Sequence, residues 1–369
     1  MFKIKGEALQ QIVHGITKGA KKARLGESRV FISSTEEHTV KFYFVGEELQ
    51  VEKTLECETT EQFAFATTMI ELEIKVGALP DDELIHVVKE GDKVFLKWGR
   101  SSNIMMEIVP ELSPEIEIPQ ATDTVTWGPG KLHGLARSLP YFAAIANSAS
   151  ANKYPVLRGL YFAKEETGEV KVRASNSGRA VTVNTKGMEW FDGVFCSIPT
   201  ETVVGLIEIL PSDSELRVSI NAEETLIVFE AGHTKAVSRL LVGEFPPIDQ
   251  AYITEESAKT IWRVDRLQLL ETVRRIKRLG GNMPTMVFRV DGSKAFVELP
   301  GVLVEQIGAS IDGDQHVGFI LHSDYLELAL TLHRTEEVLL CVKEENRPIT
   351  ILDDSETHDT KVLIAPLVN

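Results

Sequence analysis

One pattern occurs three times in this chain and constrains its fold more than any other feature. It reads TTMIELEIKVGALPDDELIHVVKEGDKVFLKW from residue 67, PTETVVGLIEILPSDSELRVSINAEETLIVF from residue 199 and HSDYLELALTLHRTEEVLLCVKEENRPITI from residue 322. Each copy is a short amphipathic helix, a polar turn and two strands of alternating character. The copies stand roughly 120 to 130 residues apart, which is the spacing of three domains of one kind. A triplicated α+β unit is an architectural device. Rings and scaffolds use one far more often than enzymes do.

The repetition extends upstream of each copy. GEALQQIVHGITKGAKKA, GKLHGLARSLPYFAAIANSA and VDRLQLLETVRRIKRL each read as an amphipathic first helix, opened by Leu9, Leu132 and Leu267. Strands follow: SRVFISS with TVKFYFVG, VLRGLYFAKEETGEVKVRASN, and TMVFRVDGSKAFVELPG. Their two-residue alternation predicts half-buried antiparallel sheet, with turns at Glu166-Thr167-Gly168 and Asp291-Gly292-Ser293. NIMMEIVP, KAVSRLLVGEFPP and DTKVLIAPLVN each close a repeat on one more strand. Short linkers at 110–123 and 246–257 then predict domains over residues 1–123, 124–255 and 256–369, held in fixed relation.

With 43% hydrophobic and 25% charged residues, each repeat has the material for its own core. No run of 18 apolar residues exists to span a membrane, and MFKIKGEALQQIVHG reads as the start of folded structure. Cys57, Cys196 and Cys341 are odd in number and far apart, which argues against a disulfide framework and fits a reducing, cytoplasmic setting.

The net charge of -16 taken alone argues against a polyanionic partner. Its distribution argues otherwise. The first helix of repeat one ends in Lys18, Lys21, Lys22 and Arg24, and that of repeat three in Arg274, Arg275, Lys277 and Arg278. Repeat two is thinner, with Lys131, Arg137, Lys153 and Arg158. Acids gather in the second halves, as at Glu71, Glu73, Glu336 and Glu337. One basic cluster alone reads as a solvated helix end that satisfies its dipole. Clusters at equivalent places read as a surface facing a polyanion through phosphates, without sequence readout. Few aromatic residues interleave with them, so stacking on single strands is not signalled and duplex fits better.

Catalytic and metal-binding patterns are missing. There is no GxxxxGK[ST] loop, no HExxH and no GxSxG. GPGKLHG at 128–134 reads as a turn and helix start, His322 and Pro199-Thr200 as helix starts, and Asp353-Asp354 as a solvated polar turn.

Several segments carry a family resemblance. Tyr154-Pro155-Val156-Leu157-Arg158-Gly159, Ala174 to Val181 (ASNSGRAV), Ser238 to Ile248 (SRLLVGEFPPI), Asn346-Arg347-Pro348-Ile349-Thr350-Ile351, the terminal Ala365-Pro366-Leu367 and Gly99-Arg100-Ser101 occur in that family's order. With three α+β repeats and basic first helices, the chain resembles the bacterial sliding clamp, the β subunit of DNA polymerase III. The SRLLVGEFPPI segment is similar to the family's S-[KR]-L-[IV]-x-G-x-[FY]-P-[DN]-Y. Asn176, Gly178 and Ala180 depart from the usual A-T-D-G-H-R-L-A, and Val368-Asn369 from the usual terminus. A divergent member, such as a plasmid or phage would carry, fits these departures.

The resemblance implies an α+β fold of three clamp domains, helices on one side and antiparallel sheets on the other, in a head-to-tail homodimeric ring. It implies a non-catalytic, cofactor-free and metal-free processivity factor that encircles duplex DNA. Partners would be the replicative polymerase catalytic subunit, the clamp loader and other proteins with a clamp-binding motif. Lys21, Lys22, Arg24, Lys153, Arg274, Arg275, Lys277 and Arg278 would face DNA. A peptide groove between the second and third domains would be walled by Leu157, Ser175, Arg179, Ala180, Val181, Pro246, Pro348, Pro366 and Leu367. Ring closure would set Ile104, Met105 and Met106 against Ile276 or Leu279. Two alternatives stay open at the level of sequence: a clamp-fold scaffold that binds proteins without encircling DNA, and a cofactor-free enzyme on the same triplicated frame.

Overall fold

The computed structural model describes residues 1–23, 29–34, 38–110, 121–282, 284–314, 318–344, 347–355 and 358–367. Arg24, Asn346, Val368 and Asn369, named above, lie outside the described residues.

The chain is α+β. Its first third runs β1 (Phe2–Lys5), α1 (Gly6–Lys22), β2 (Arg29–Ser34), β3 (Thr39–Val45), β4 (Leu49–Glu56), β5 (Glu58–Thr59), β6 (Phe63–Thr68), α2 (Met69–Gly77), β7 (Leu84–Glu90), β8 (Lys93–Trp98) and β9 (Ser102–Glu107). The middle third runs β10 (Ala121–Trp127), α3 (Leu139–Ala146), α4 (Ala149–Lys153), β11 (Gly159–Lys164), β12 (Val170–Ser175), β13 (Arg179–Asn184), β14 (Cys196–Pro199), α5 (Thr200–Ile209), β15 (Leu216–Asn221), β16 (Leu226–Ala231) and β17 (Thr234–Arg239). The last third runs β18 (Thr260–Asp265), α6 (Arg266–Gly280), β19 (Thr285–Asp291), β20 (Lys294–Leu299), β21 (Leu303–Ile307), β22 (Ala309–Gly313), β23 (Phe319–His322), α7 (Ser323–Leu332), β24 (Glu337–Val342), β25 (Ile349–Asp353) and β26 (Thr360–Ile364). A strand, a helical segment, a set of strands, a second helix and three closing strands therefore recur three times.

Local chemistry explains the elements. Asp265 caps α6 by accepting from the Gln268 N–H, and Thr68 caps α2 by accepting from that of Glu71. On α1, Leu9, Ile12, Val13, Ile16 and Ala20 form one buried stripe. The middle repeat departs from expectation: its first helix is broken into a 3₁₀ turn at His133–Leu135, then α3, then α4. Pro140 sits in the first turn of α3, where its missing N–H costs nothing, and its ring prevents helix from continuing upstream. Leu267 also departs, being exposed, while Leu269 and Leu270 carry the apolar stripe of α6.

Contacts divide the chain into two compact units. One comprises Met1–Ala136 with Gly187–Leu241, the other Arg137–Lys186 with Val242–Asn369. The first unit holds a sheet in the order β5-β1-β7-β8-β9 and another in the order β10-β15-β16-β17-β4-β3-β2-β6. Helices α1 and α5 pack closely within it because glycines face the contact. A Cβ on Gly19 would lie 2.2 Å from Ile209 Cγ1, and one on Gly205 2.9 Å from Ala23 Cβ. Trp127 packs with Trp190 and Phe229 at the centre, its indole N–H donating to the Glu189 carbonyl at 2.7 Å.

The second unit contains the strand run β11-β12-β13-β26-β25-β24-β18-β22 and the sheet β21-β20-β19-β23. Trp262, Phe288 and Phe319 form its aromatic centre. Two arginines bind carbonyls at and just beyond the C-terminal end of α7: Arg137 donates to Thr331 and His333, Arg266 to Leu330 and Thr335. Asp353, expected in a solvated turn, is instead buried on β25. It accepts from the Thr360 N–H at 2.8 Å and lies 2.6 Å from His333 Nδ1, on a fully buried ring. Burial alone would raise the Asp353 pKa; the His333 and Thr360 contacts outweigh it and hold the carboxyl below its usual range. A depressed folded pKa contributes stability that is complete above the unfolded value and is lost as pH falls through the folded one. Asp353→Ala is therefore expected to cost about 1–3 kcal/mol at pH 7, read as a lower urea midpoint. The difference from wild type should shrink on acidification below about pH 4.

Candidate nucleic-acid and partner surfaces

Each unit joins two repeats through a strand seam. In the first unit β17 pairs antiparallel with β4, setting Ala236 opposite Val51. In the second β26 pairs with β13, setting Val362 opposite Val181. All four side chains are buried. Following the ladder registers through the repeats, Ile104 on β9 is the counterpart of Ala236 and Val362, and Leu303 on β21 that of Val51 and Val181. Yet among the described residues β9 and β21 end their sheets. Ile104 and Leu303 stay half-buried, and beside them Met105 is 38% and Val304 59% exposed. Helix α2, with exposed Ile70 and Ile74, packs next to β9, and α6, with Leu279 53% exposed, next to β21. The sequence missed Leu303 and Val304 because only strand order reveals them as edge residues. Met106 and Ile276 are corrections: at 1% and 0% exposed, both are core side chains, unavailable to a second chain.

The basic helices are surface features, but not free ones. Lys21 donates to Glu73 at 2.6 Å, and Lys18 and Lys22 approach Glu208 at 2.7 and 3.6 Å. On α6, Arg274 and Lys277 both reach Glu327, Lys277 also reaches Asp324, and Arg275 holds Glu305. Hydrogen bonding to Asp324 and Glu327 raises the Lys277 pKa; Arg275 depresses that of Glu305 and Lys18 that of Glu208. Arg278 is exposed and has no ion pair among the described residues, and Lys153 lies 5.3 Å from the Tyr154 ring centroid.

A cavity of about 530 Å³ opens in the second unit. Its apolar side is Tyr154, Val156, Leu157, Phe245, Pro246 and Pro247; its polar side is Ser150, Ser175, Asn176, Ser177 and Glu244. Phe245 stacks on Tyr161 at 4.4 Å and packs against Val156 and Leu157. Asn176 shapes the rim, its side-chain oxygen accepting from the Gly178 and Arg179 N–H groups at 2.9 Å. The Ala365 N–H donates to the Gly178 carbonyl, so the C-terminal segment passes this same turn.

Of the expected groove residues, Leu157, Ser175 and Pro246 meet at this cavity. Ala180 and Val181 are buried within the sheet, and Arg179 is buried with its guanidinium 4.2 Å from the Tyr325 ring centroid. Pro366 and Leu367 do not line the cavity, although the Leu367 N–H donates to the Ile320 carbonyl. Pro348 lines a separate, more polar cavity of about 340 Å³ with Lys343 and Arg347. Tyr154, Val156, Asn176, Ser177, Glu244, Phe245 and Pro247 were missed, although each falls inside a segment that carried the resemblance. No group of three or more potential metal ligands occurs among the described residues, and no helix among them is long and apolar enough to cross a membrane.

The fold defines a class. It is that of the DNA polymerase sliding clamps, matched over the whole chain. A sliding clamp from Pseudomonas aeruginosa superposes with a TM-score of 0.85 at 18% identity, covering 100% of this chain and 99% of that one. A DNA polymerase III β chain from Streptococcus pneumoniae gives 0.86 at 19%, with 100% and 99% covered. A DNA polymerase III subunit β sliding clamp from Bartonella birtlesii, bound to griselimycin, gives 0.86 at 17% over the same shares. The chain thus resembles bacterial DNA polymerase III β subunits at low identity. No family model and no curated protein matches it by sequence.

Proposed function

We propose that this chain is a DNA sliding clamp, a non-catalytic processivity factor without a cofactor. Three clamp domains, over residues 1–123, 124–255 and 256–369, would pair head to tail with those of a second copy. The ring encircles duplex DNA without reading sequence and tethers a replicative polymerase, its loader and other partners by short peptides. The correspondence of Ile104 and Leu303 with the two buried seams carries this reading. Two seams of one kind are already formed in each chain, and β9 and β21 are the unpaired halves of a third. An isologous pairing would put like edge on like; joining β9 of one copy to β21 of the next makes a heterologous contact that closes after two copies. Exposed apolar side chains on both edges support this, because a long apolar edge in water invites pairing.

The helices α1 and α6 would face the duplex, touching phosphates weakly enough to slide. The cavity beside Phe245 would take an apolar side chain of the partner peptide, with the segment Ala365-Pro366-Leu367 extending the groove past Gly178. A scaffold that binds peptides without encircling DNA is the second reading, favoured by the carboxylates that occupy the basic helices. Reversing two charges separates them. Arg274→Glu with Arg275→Glu is expected to lower retention on duplex at least about tenfold while leaving the fold intact. Equal retention by the folded variant would favour the scaffold.

A further inference from the structure

The cations of α1 and α6 carry competitors for any phosphate that approaches them. Glu327 on α7 accepts from Arg274 Nε at 3.0 Å and Lys277 Nζ at 2.6 Å. Asp324, one turn earlier, takes the same ammonium at 2.5 Å, and both Glu305 oxygens lie 2.5 Å from Arg275 Nη1. On α1, Glu208 receives Lys18 and Lys22, and Glu73 receives Lys21. These acids come from other elements and are more buried than the cations they hold. The Glu327 side chain is 23% exposed, that of Arg274 53%. Packing holds the carboxylate, while the guanidinium is the more solvent-exposed partner. Burial would raise the Glu327 pKa, but its two cations outweigh this and hold it ionised.

We propose that these carboxylates, Glu327 foremost, set the chain's affinity for duplex phosphate low by exchange: a phosphate gains Arg274 or Lys277 only as Glu327 gives it up. The inference rests on the duplex-binding reading above and adds the residues that tune it. Exposed ion pairs are weak in water, so the exchange is easily made. The released carboxylate cannot withdraw, because its helix is packed, and it repels the incoming phosphate at close range. Each contact is thereby discounted without removal of a cation, which suits a surface that must hold DNA and still move along it. Arg278, with no such partner among the described residues, is the cation that binds at full strength.

The test is the anisotropy of a short labelled duplex titrated with the full-length protein at several salt concentrations. Glu327→Gln keeps the shape of the side chain, frees Arg274 and leaves Lys277 to Asp324 alone. It is expected to tighten binding about 3- to 10-fold and to steepen the salt dependence by about one to two phosphate contacts. Glu208→Gln should act the same way on α1, and Arg274→Gln should weaken binding more in the Glu327→Gln background than in the wild type. Unchanged or weaker binding by folded Glu327→Gln, with wild-type binding still sensitive to Arg274→Glu, would overturn the inference and leave the duplex reading standing. Absence of duplex binding in both proteins at low salt would overturn both.

Discussion

Leu303→Asp is expected to leave the chain folded and to abolish its association with a second copy. The substitution places a carboxylate at the first residue of the edge strand β21, half-buried in the single chain. At both internal seams the equivalent residues, Val51 and Val181, are buried against Ala236 and Val362. A charge buried there without a partner costs about 3–5 kcal/mol, so the dissociation constant should rise at least about 100-fold. Sedimentation equilibrium measures it directly. Ile104→Asp on β9 should do the same, whereas an equimolar mixture of the two variants should regain association through one intact seam, β9 of the Leu303→Asp copy against β21 of the Ile104→Asp copy. A stable dimer of folded Leu303→Asp would place self-association on another surface. Pairing of these edges would cover the exposed apolar residues Met105 and Val304.

Phe245→Ala should carry the second large effect. The ring is one wall of the cavity, fixed by its stack on Tyr161 and by contact with Val156 and Leu157. Removing a wall of an apolar pocket costs about 2 kcal/mol or more in binding, roughly 30-fold. The measurement is calorimetry with clamp-binding peptides that end in an apolar side chain. Leu367→Asp extends the test to the C-terminal segment. Loss in both variants would make one continuous groove, whereas loss in Phe245→Ala alone would confine recognition to the cavity. Normal affinity in Phe245→Ala would remove the cavity from the partner site.

Much of this was legible in the sequence, for physical reasons that also mark where legibility stopped. Apolar periodicity placed α1, α6 and the paired strands because burial of one face is a local property, written every second or every third to fourth residue. Pro140 divides the middle helix although the apolar pattern continues on either side of it, because a ring in the chain overrides periodicity. Asp353 looked solvated because its partners, His333 and the Thr360 N–H, are brought to it only by neighbouring strands and the end of α7. The ion pairs were invisible for the same reason: Glu327 stands 50 residues from Lys277, and Glu208 far beyond the reach of any helical spacing from Lys18. Of the expected groove residues, Leu157, Ser175 and Pro246 line the cavity, whereas Ala180 and Val181 are buried in the sheet. Val181 alternates into the sheet while Ser175, across the hairpin, lines the cavity. The edge residue Leu303 needed the strand order itself, since nothing local distinguishes a strand that ends its sheet.

Closure of the ring around DNA can be tested without a loader. Ile104→Cys with Leu303→Cys places one thiol on each side of the proposed seam, and a short thiol-reactive linker closes both seams of a dimer. The double variant is mixed with nicked circular duplex at low salt, cross-linked, moved to high salt and separated by size, with the wild type and its three native cysteines treated alongside as control. Cross-linked protein should stay with the circle at high salt, where phosphate contacts alone fail, and should leave when the DNA is cut once. Protein that is lost from the intact circle, or that remains after the cut, would contradict encirclement.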